Sequence, residues 1–182
     1  MPVHHVAVAV KEVHTAHDFY TKAMGFTLAK VVKNLSPAGG WTKHLFYDIG
    51  DGSLFAIWDM RGMKDVLPDD VWRGGLSTGA GLPVWVNHIA FTCDGADDME
   101  VRKQRWLAYG RTVIEVDHEF VRSIYTNDPD GTFVEWTYNV RSLTEDDRME
   151  AERLLLDDSP SDQPGEAAIF HTPAVAGWSH ST

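Results

Sequence analysis

The chain has 182 residues, room for one ordinary domain or for two small units sharing a core. Its 27 acidic and 16 basic residues leave a net charge of −11, without the basic surplus that a nucleic-acid backbone demands. A single cysteine, Cys93, excludes an internal disulfide framework and a cysteine-built zinc site, and no apolar run approaches the roughly 20 residues of a bilayer span. The expectation is a soluble cytoplasmic protein with neither nucleic acid nor membrane as a partner.

Elements follow in chain order. Residues 3–10 alternate as a half-buried strand, and the next segment places Ala16, Phe19, Tyr20 and Ala23 at helical spacing, with Gly25 as a stop. Strand-like runs at 26–33, 41–49 and 53–60 complete a βαβββ order, punctuated by Pro37, Gly39-Gly40 and Asp51-Gly52. The order then repeats. A strand at 83–93, a helix at 96–109 and strands at 111–116, 119–126 and 132–138 form a second βαβββ half. Two local matches support duplication: Val3-His4-His5-Val6-Ala7 lies over Val86-Asn87-His88-Ile89-Ala90, and the run from Asp51-Gly52 lies over that from Asp130-Gly131.

The expected organisation is one domain at 1–140, made of modules 1–60 and 83–140, followed by a C-terminal helix and flexible tail at 141–182. The glycine-rich linker 61–82 is long for a structureless connection, so it is either mobile or shaped around something. Residues 141–182 hold nine Asp or Glu against three Arg; Leu143 to Asp147 starts like a capped acidic helix that reaches about Leu156. The Leu154-Leu155-Leu156 run and the tail point to a homodimer contact.

Strand alternation sorts the nine histidines. Val6, Val8 and Val10 share the face expected under the helix; His5 points to the other, beside the small Ala7 and Ala9. In the second half His88 lies with Ala90 and Thr92, and Glu135 with Phe133 and Thr137. If the sheet curls around a cavity opposite its helices, His5, His88 and Glu135 project into it. They are then either three separate polar residues or a two-histidine, one-carboxylate metal face, a set that leaves coordination positions open on an octahedral ion.

The remaining candidates have plainer readings. His14 and His17 read as a solvated helix face, with His14 within reach of Asp18. His4 reads as a packing residue on the apolar stripe, and His171 and His180 as uninvolved tail residues. Cys93 has a packed position and no nearby base. Trp41, Phe46, Trp58, Trp72, Trp85, Phe120 and Phe133 read mostly as core, some of them lining a pocket for a planar or apolar substrate.

The run from His5 to Val10, with Phe19-Tyr20 and Gly25-Phe26, resembles the opening of the vicinal-oxygen-chelate superfamily, and Asn127 to Glu135 resembles its closing strand pair. The resemblance covers roughly residues 3–139 and includes glyoxalase I, methylmalonyl-CoA epimerase, bleomycin and fosfomycin resistance proteins, and type I extradiol dioxygenases. It implies an α+β fold: paired βαβββ modules forming an open, mostly antiparallel barrel around a divalent metal held by His5, His88 and Glu135. The position of the extra glutamate of glyoxalase-type members is Ala56, which argues against that reaction. Extradiol enzymes carry a tyrosine ten residues before the glutamate, here Tyr125, whose hydroxyl acts as a hydrogen-bond donor to a substrate oxygen. His118, seven residues before Tyr125, corresponds to the histidine that they carry on the hairpin strand before that tyrosine. Their acid–base histidine has no counterpart in Gly52-Ser53-Leu54, and His44 on the preceding strand is the candidate substitute.

The resemblance therefore implies an Fe(II)-dependent ring-cleaving dioxygenase acting with O2 on a catechol-like aromatic such as a dihydroxybiphenyl. Mn(II), Zn(II) or another divalent ion are the alternative metals. The alternative functions are a metal-dependent lyase, isomerase or hydrolase acting on a vicinal oxygen pair, and a non-catalytic small-molecule-binding protein.

Overall fold

Both halves of the chain fold with the same order of elements. In the computed structural model, which describes residues 3–174, strand β1 is His5–Val10, helix α1 is Val13–Asp18, β2 is Thr27–Leu35, β3 is Trp41–Asp48 and β4 is Leu54–Asp59. The second unit has β5 at His88–Thr92, α2 at Ala96–Ala108, β6 at Val113–Asp117, β7 at Val121–Asn127 and β8 at Phe133–Asn139. Helix α3, Glu145–Leu155, and strand β9, Ala168–His171, follow. The fold is mixed α+β, with three helices and two sheets among the described residues.

The sheets run in the orders β1-β4-β3-β2 and β5-β8-β7-β6-β9. In each, the first strand of a module lies parallel to its last, while the other neighbours are antiparallel. The two sheets are not closed on each other. β1 and β5 are edge strands, and a cleft of about 590 Å3 is lined by residues of both, including Val6, Ala90 and Thr92. Val6 is therefore 40% exposed rather than packed under the helix, while Val8 and Val10 are buried as the alternation predicts.

The first helical segment buries Ala16, Phe19, Tyr20 and Ala23 and widens into a π-helical turn over Phe19–Ala23. Gly25 then turns the chain at φ +81°, and its position faces Arg105 of α2: a Cβ there would lie 1.8 Å from the guanidinium. The modules also meet through aromatic rings. Phe26 lies edge-on to Phe91 with centroids 5.1 Å apart and to Trp136 at 6.0 Å, and Phe55 approaches Phe91 at 5.9 Å. Tyr20 donates to Asp128 at 2.8 Å, and the Lys11 amide donates to Asp130 at 2.8 Å.

Several expectations change. β5 begins at His88, because Pro83 starts a turn closed by the Val86 amide on the Pro83 carbonyl. The linker 61–82 contains short 3-10 turns at Arg61–Met63 and Thr78–Ala80 and wraps the Asp130-Gly131 turn. Helix α3 has the expected start, a capping box between Thr144 and Asp147, and Leu154, Leu155 and Leu156 are exposed. The tail is not all flexible arm: Ala168–His171 adds a strand to β6, and His171 reaches Glu115 at 2.9 Å. His180 lies outside the described residues.

Candidate functional site

Register fixes which side chains share a face. Pairing of His5 with Leu54, Ala7 with Ala56 and Ala9 with Trp58 puts β1 and β4 residues on one face, where β3 contributes Phe46 and His44. That face carries a cavity of about 720 Å3 lined by Ala9, Val32, His44, Phe46, Trp58 and Met63, among others. His5 stands beside it, edge-on to Phe46 at 5.7 Å and to His44 at 6.3 Å, with its Nδ1 2.8 Å from that of His4. His4 is thus exposed beside His5 rather than packed. His44 stacks on Trp58 with centroids 3.8 Å apart, and its buried Nε2 has no hydrogen-bond partner. Burial, followed by the neighbouring His5, holds the His44 imidazole below its ordinary pKa.

The second sheet supplies a polar face. His88, Ala90, Glu135, Tyr125 and Ser123 occupy neighbouring positions on β5, β8 and β7. His88 Nε2 lies 3.1 Å from Glu135 Oε2, and its Nδ1 lies 3.1 Å from the Trp85 carbonyl. The carboxylate, 5% exposed, accepts a 2.6 Å hydrogen bond from Ser123 on its other oxygen. A carbonyl at Nδ1 accepts only from Nδ1–H, which in a neutral imidazole leaves a lone pair on Nε2. Two acceptors then face each other, and a proton or a shared cation must lie between them. Nitrogen and oxygen ligands of a divalent ion, each about 2.1 Å from it and at right angles, are about 3.0 Å apart. His88 and Glu135 therefore fit a metal as adjacent ligands.

His5 is not in contact with this pair, and among the described residues no three His, Cys, Asp or Glu side chains stand together as a metal-holding group. The position aligned with a fourth glutamate is Ala56, fully buried on the face of His5.

Tyr125 and His118 meet. The tyrosine hydroxyl is 2.7 Å from His118 Nε2, and its ring stacks on Phe133 and lies edge-on to His88 at 6.1 Å. Burial pushes the phenol up to about 12, so it keeps its proton at neutral pH. His118 Nδ1 contacts Glu166, a residue of the C-terminal extension that the sequence reading missed. No spacing rule joins residues 48 positions apart; the short β-branched and aromatic run Ile169-Phe170 was the available sign that this segment docks.

Other histidines and aromatics are now placed. His17 is not on a solvated face, since its Nδ1 lies 3.0 Å from the buried Tyr47 hydroxyl, and Asp18 pairs with Lys22 rather than His14. Trp85, 65% exposed, and Phe120, also exposed, are not core residues. Cys93 is buried, which raises its thiol pKa.

The sequence matches the Glyoxalase/Bleomycin resistance protein/Dioxygenase superfamily over residues 3–136, and the chain belongs to that superfamily. No curated protein matches it significantly. Among solved structures it resembles a glyoxylase/bleomycin resistance protein/dioxygenase domain from Frankia sp. EAN1pec, with 14% identity and a TM-score of 0.55, over 76% of this chain and 98% of that one. It also resembles a variant of the fosfomycin resistance protein FosX from Listeria monocytogenes, complexed with Mn(II) and 1S,2S-dihydroxypropylphosphonic acid. That likeness has 18% identity and a TM-score of 0.52, over 81% and 97% of the two chains. TnmS3, an antibiotic-binding protein from Streptomyces sp. CB03234, is similar at 18% identity and a TM-score of 0.51, over 76% and 96%. At these identities the likeness is one of fold.

Proposed function

We propose that this member of the superfamily is a divalent-metal dioxygenase that opens the ring of a catechol-like aromatic, with His5, His88 and Glu135 as ligands and Fe(II) as the ion. The observation that carries the reading is the Tyr125–His118 hydrogen bond on the strand beside the His88–Glu135 pair. When bound, the iron supplies a redox centre through which electrons pass from the diol to O2. The chain's own residues do the rest. Ser123 fixes the orientation of Glu135, and the Trp85 carbonyl fixes the tautomer of His88. Tyr125, protonated and held by His118, engages an oxygen of the substrate. His44, with its unpartnered Nε2 beside the aromatic-walled cavity, is the candidate proton acceptor in place of the histidine missing near Ser53. The walls formed by Phe46, Trp58 and His44 suit a planar ring.

Anaerobic reconstitution with Fe(II), followed by 2,3-dihydroxybiphenyl and air, is expected to give a yellow ring-cleavage product. His5→Ala and His88→Ala should each lower Fe(II) affinity by about tenfold or more. No product across a panel of catechols with iron fully loaded refutes the dioxygenase reading, and unchanged metal affinity in His5→Ala refutes the three-residue ligand set. The second reading, a metal-dependent lyase, isomerase or hydrolase or an antibiotic-binding protein, draws on the large apolar cavity and on the likeness to FosX and TnmS3. Turnover with Zn(II), Ni(II) or Co(II) without O2 would favour an enzyme of that kind. Ligand affinity independent of metal would favour the binding protein.

A further inference from the structure

We propose that the C-terminal extension is part of the site, and that Glu166 is a positioning residue that sets the tautomer of His118 and so the hydrogen-bond polarity of Tyr125. The extension grips the β6–β7 hairpin from two sides. On one side Arg141 reaches Glu119 at 2.7 Å and Asp147, in the first turn of α3, at 2.7 Å. Glu119 is the described non-glycine residue with positive φ, at 72°, a conformation that needs support from its surroundings. On the other side β9 pairs with β6 from Val113 to Val116, and the segment before β9 brings the Glu166 carboxylate onto His118 Nδ1. His118 sits between these two holds, at the end of β6.

The polarity follows from donor counting. A carboxylate only accepts, so His118 Nδ1 carries the proton, and in the neutral ring Nε2 is the acceptor. The Tyr125 hydroxyl, 2.7 Å away, then donates to His118. Its oxygen, beside the Ser123 hydroxyl and the Glu135 carboxylate, keeps a lone pair for a ligand and meets it as an acceptor. This reverses the donor role that the resemblance implies for Tyr125: the preferred ligand oxygen at this position is a protonated hydroxyl. The role of the tyrosine towards a diol rests on the proposed function, whereas the tautomer and its cause do not.

The test therefore uses the full chain, metal-free and substrate-free, labelled with 15N-histidine. The His118 ring resonances are assigned by their loss in His118→Gln. The wild type is expected to show His118 as the neutral Nδ1–H tautomer. Glu166→Gln, whose side-chain carbonyl can still accept from Nδ1–H, should retain it. Glu166→Ala should shift the population to a majority of Nε2–H while the β9 amides stay protected from hydrogen exchange. A wild-type Nε2–H tautomer, an imidazolium, or an unchanged pattern in Glu166→Ala overturns the proposal. Loss of β9 protection in Glu166→Ala also overturns it, because Glu166 would then serve only to anchor the arm. None of these readouts depends on ring cleavage, so failure of the dioxygenase reading leaves the result interpretable.

Discussion

Replacing Tyr20 by phenylalanine tests how the two modules are locked together. The hydroxyl is fully buried and donates at 2.8 Å to one oxygen of Asp128, itself 2% exposed. The other Asp128 oxygen accepts from the amides of Asp130 and Thr132 at 2.9 and 2.7 Å. Burial outweighs these bonds and raises the Asp128 carboxyl from its ordinary 3.8 to about 6. The folded state thus binds this proton more tightly than the unfolded chain. The group's contribution to stability is full below about pH 4 and is lost as pH rises towards 6, by about 3 kcal/mol in all. Subtracting the unfolding free energy of Asp128→Asn from that of the wild type isolates this trend from the other carboxylates. Tyr20→Phe removes a hydrogen bond to a charged acceptor above pH 6 and to a neutral one below pH 4. The expected costs are about 2 and about 1 kcal/mol. Urea unfolding at pH 4 and pH 7.5, extrapolated to water, measures both effects. An equal cost at the two pH values, or a wild-type minus Asp128→Asn difference that stays flat or rises with pH, would refute the reasoning.

Two further substitutions probe the site support and the core. Ser123→Ala withdraws the hydroxyl that donates to the buried Glu135. It should cost about 1–3 kcal/mol in the metal-free protein and weaken metal binding at least about tenfold; competition against a chelator with unchanged affinity would show that Glu135 needs no such support. Trp106→Ala empties a fully buried indole position under the second sheet, at a cost of about 3–5 kcal/mol, which for a chain of this length lowers Tm by roughly 10 °C. A shift below about 2 °C by calorimetry would mean that the neighbouring side chains collapse into the space.

The face assignments were readable because a strand's period of two is a local property. Placing His5 with Ala7 and Ala9 needed only the sequence, and Ala9 does line the cavity on that face. The same holds for His88 and Glu135, which meet on the diagonal between β5 and β8, Ala90 being the register partner of Glu135. What failed depended on neighbours. Val6 has the right alternation for a helix-covered face but lies on an edge strand beside a cleft, and exposure there is set by the other module. His17 has a polar side chain on a short helix, yet its partner is a buried hydroxyl 30 residues away. Glu166 sits in a stretch whose composition reads as disordered, and only the docking of the following strand gives it a target. The His118–Tyr125 contact was suggested by resemblance and needed the hairpin geometry to become a hydrogen bond.

The arrangement of the inter-module contacts explains why the ligand set divides where it does. Phe55, Phe91 and Trp136 lie on the opposite strand faces from Ala56, Ala90 and Glu135, so the modules pack through the sides that carry no candidate ligand. Tyr20–Asp128, Lys11–Asp130 and the Gly25–Arg105 approach add polar and steric contacts between the same two modules. Together these contacts fix the relative setting of the sheets and, with it, the cleft between β1 and β5. His88 and Glu135 belong to one sheet, and their separation is set by register. His5 belongs to the other, and its distance from them is set by the packing between modules. The pair is therefore a local property of the second sheet, whereas completion of a three-residue set is a property of the interface. Substitutions in the interface can change the site without touching a ligand, and Ala56 limits what they can restore: the carboxylate that the first sheet places on that face is Asp48, across Leu54 from His5.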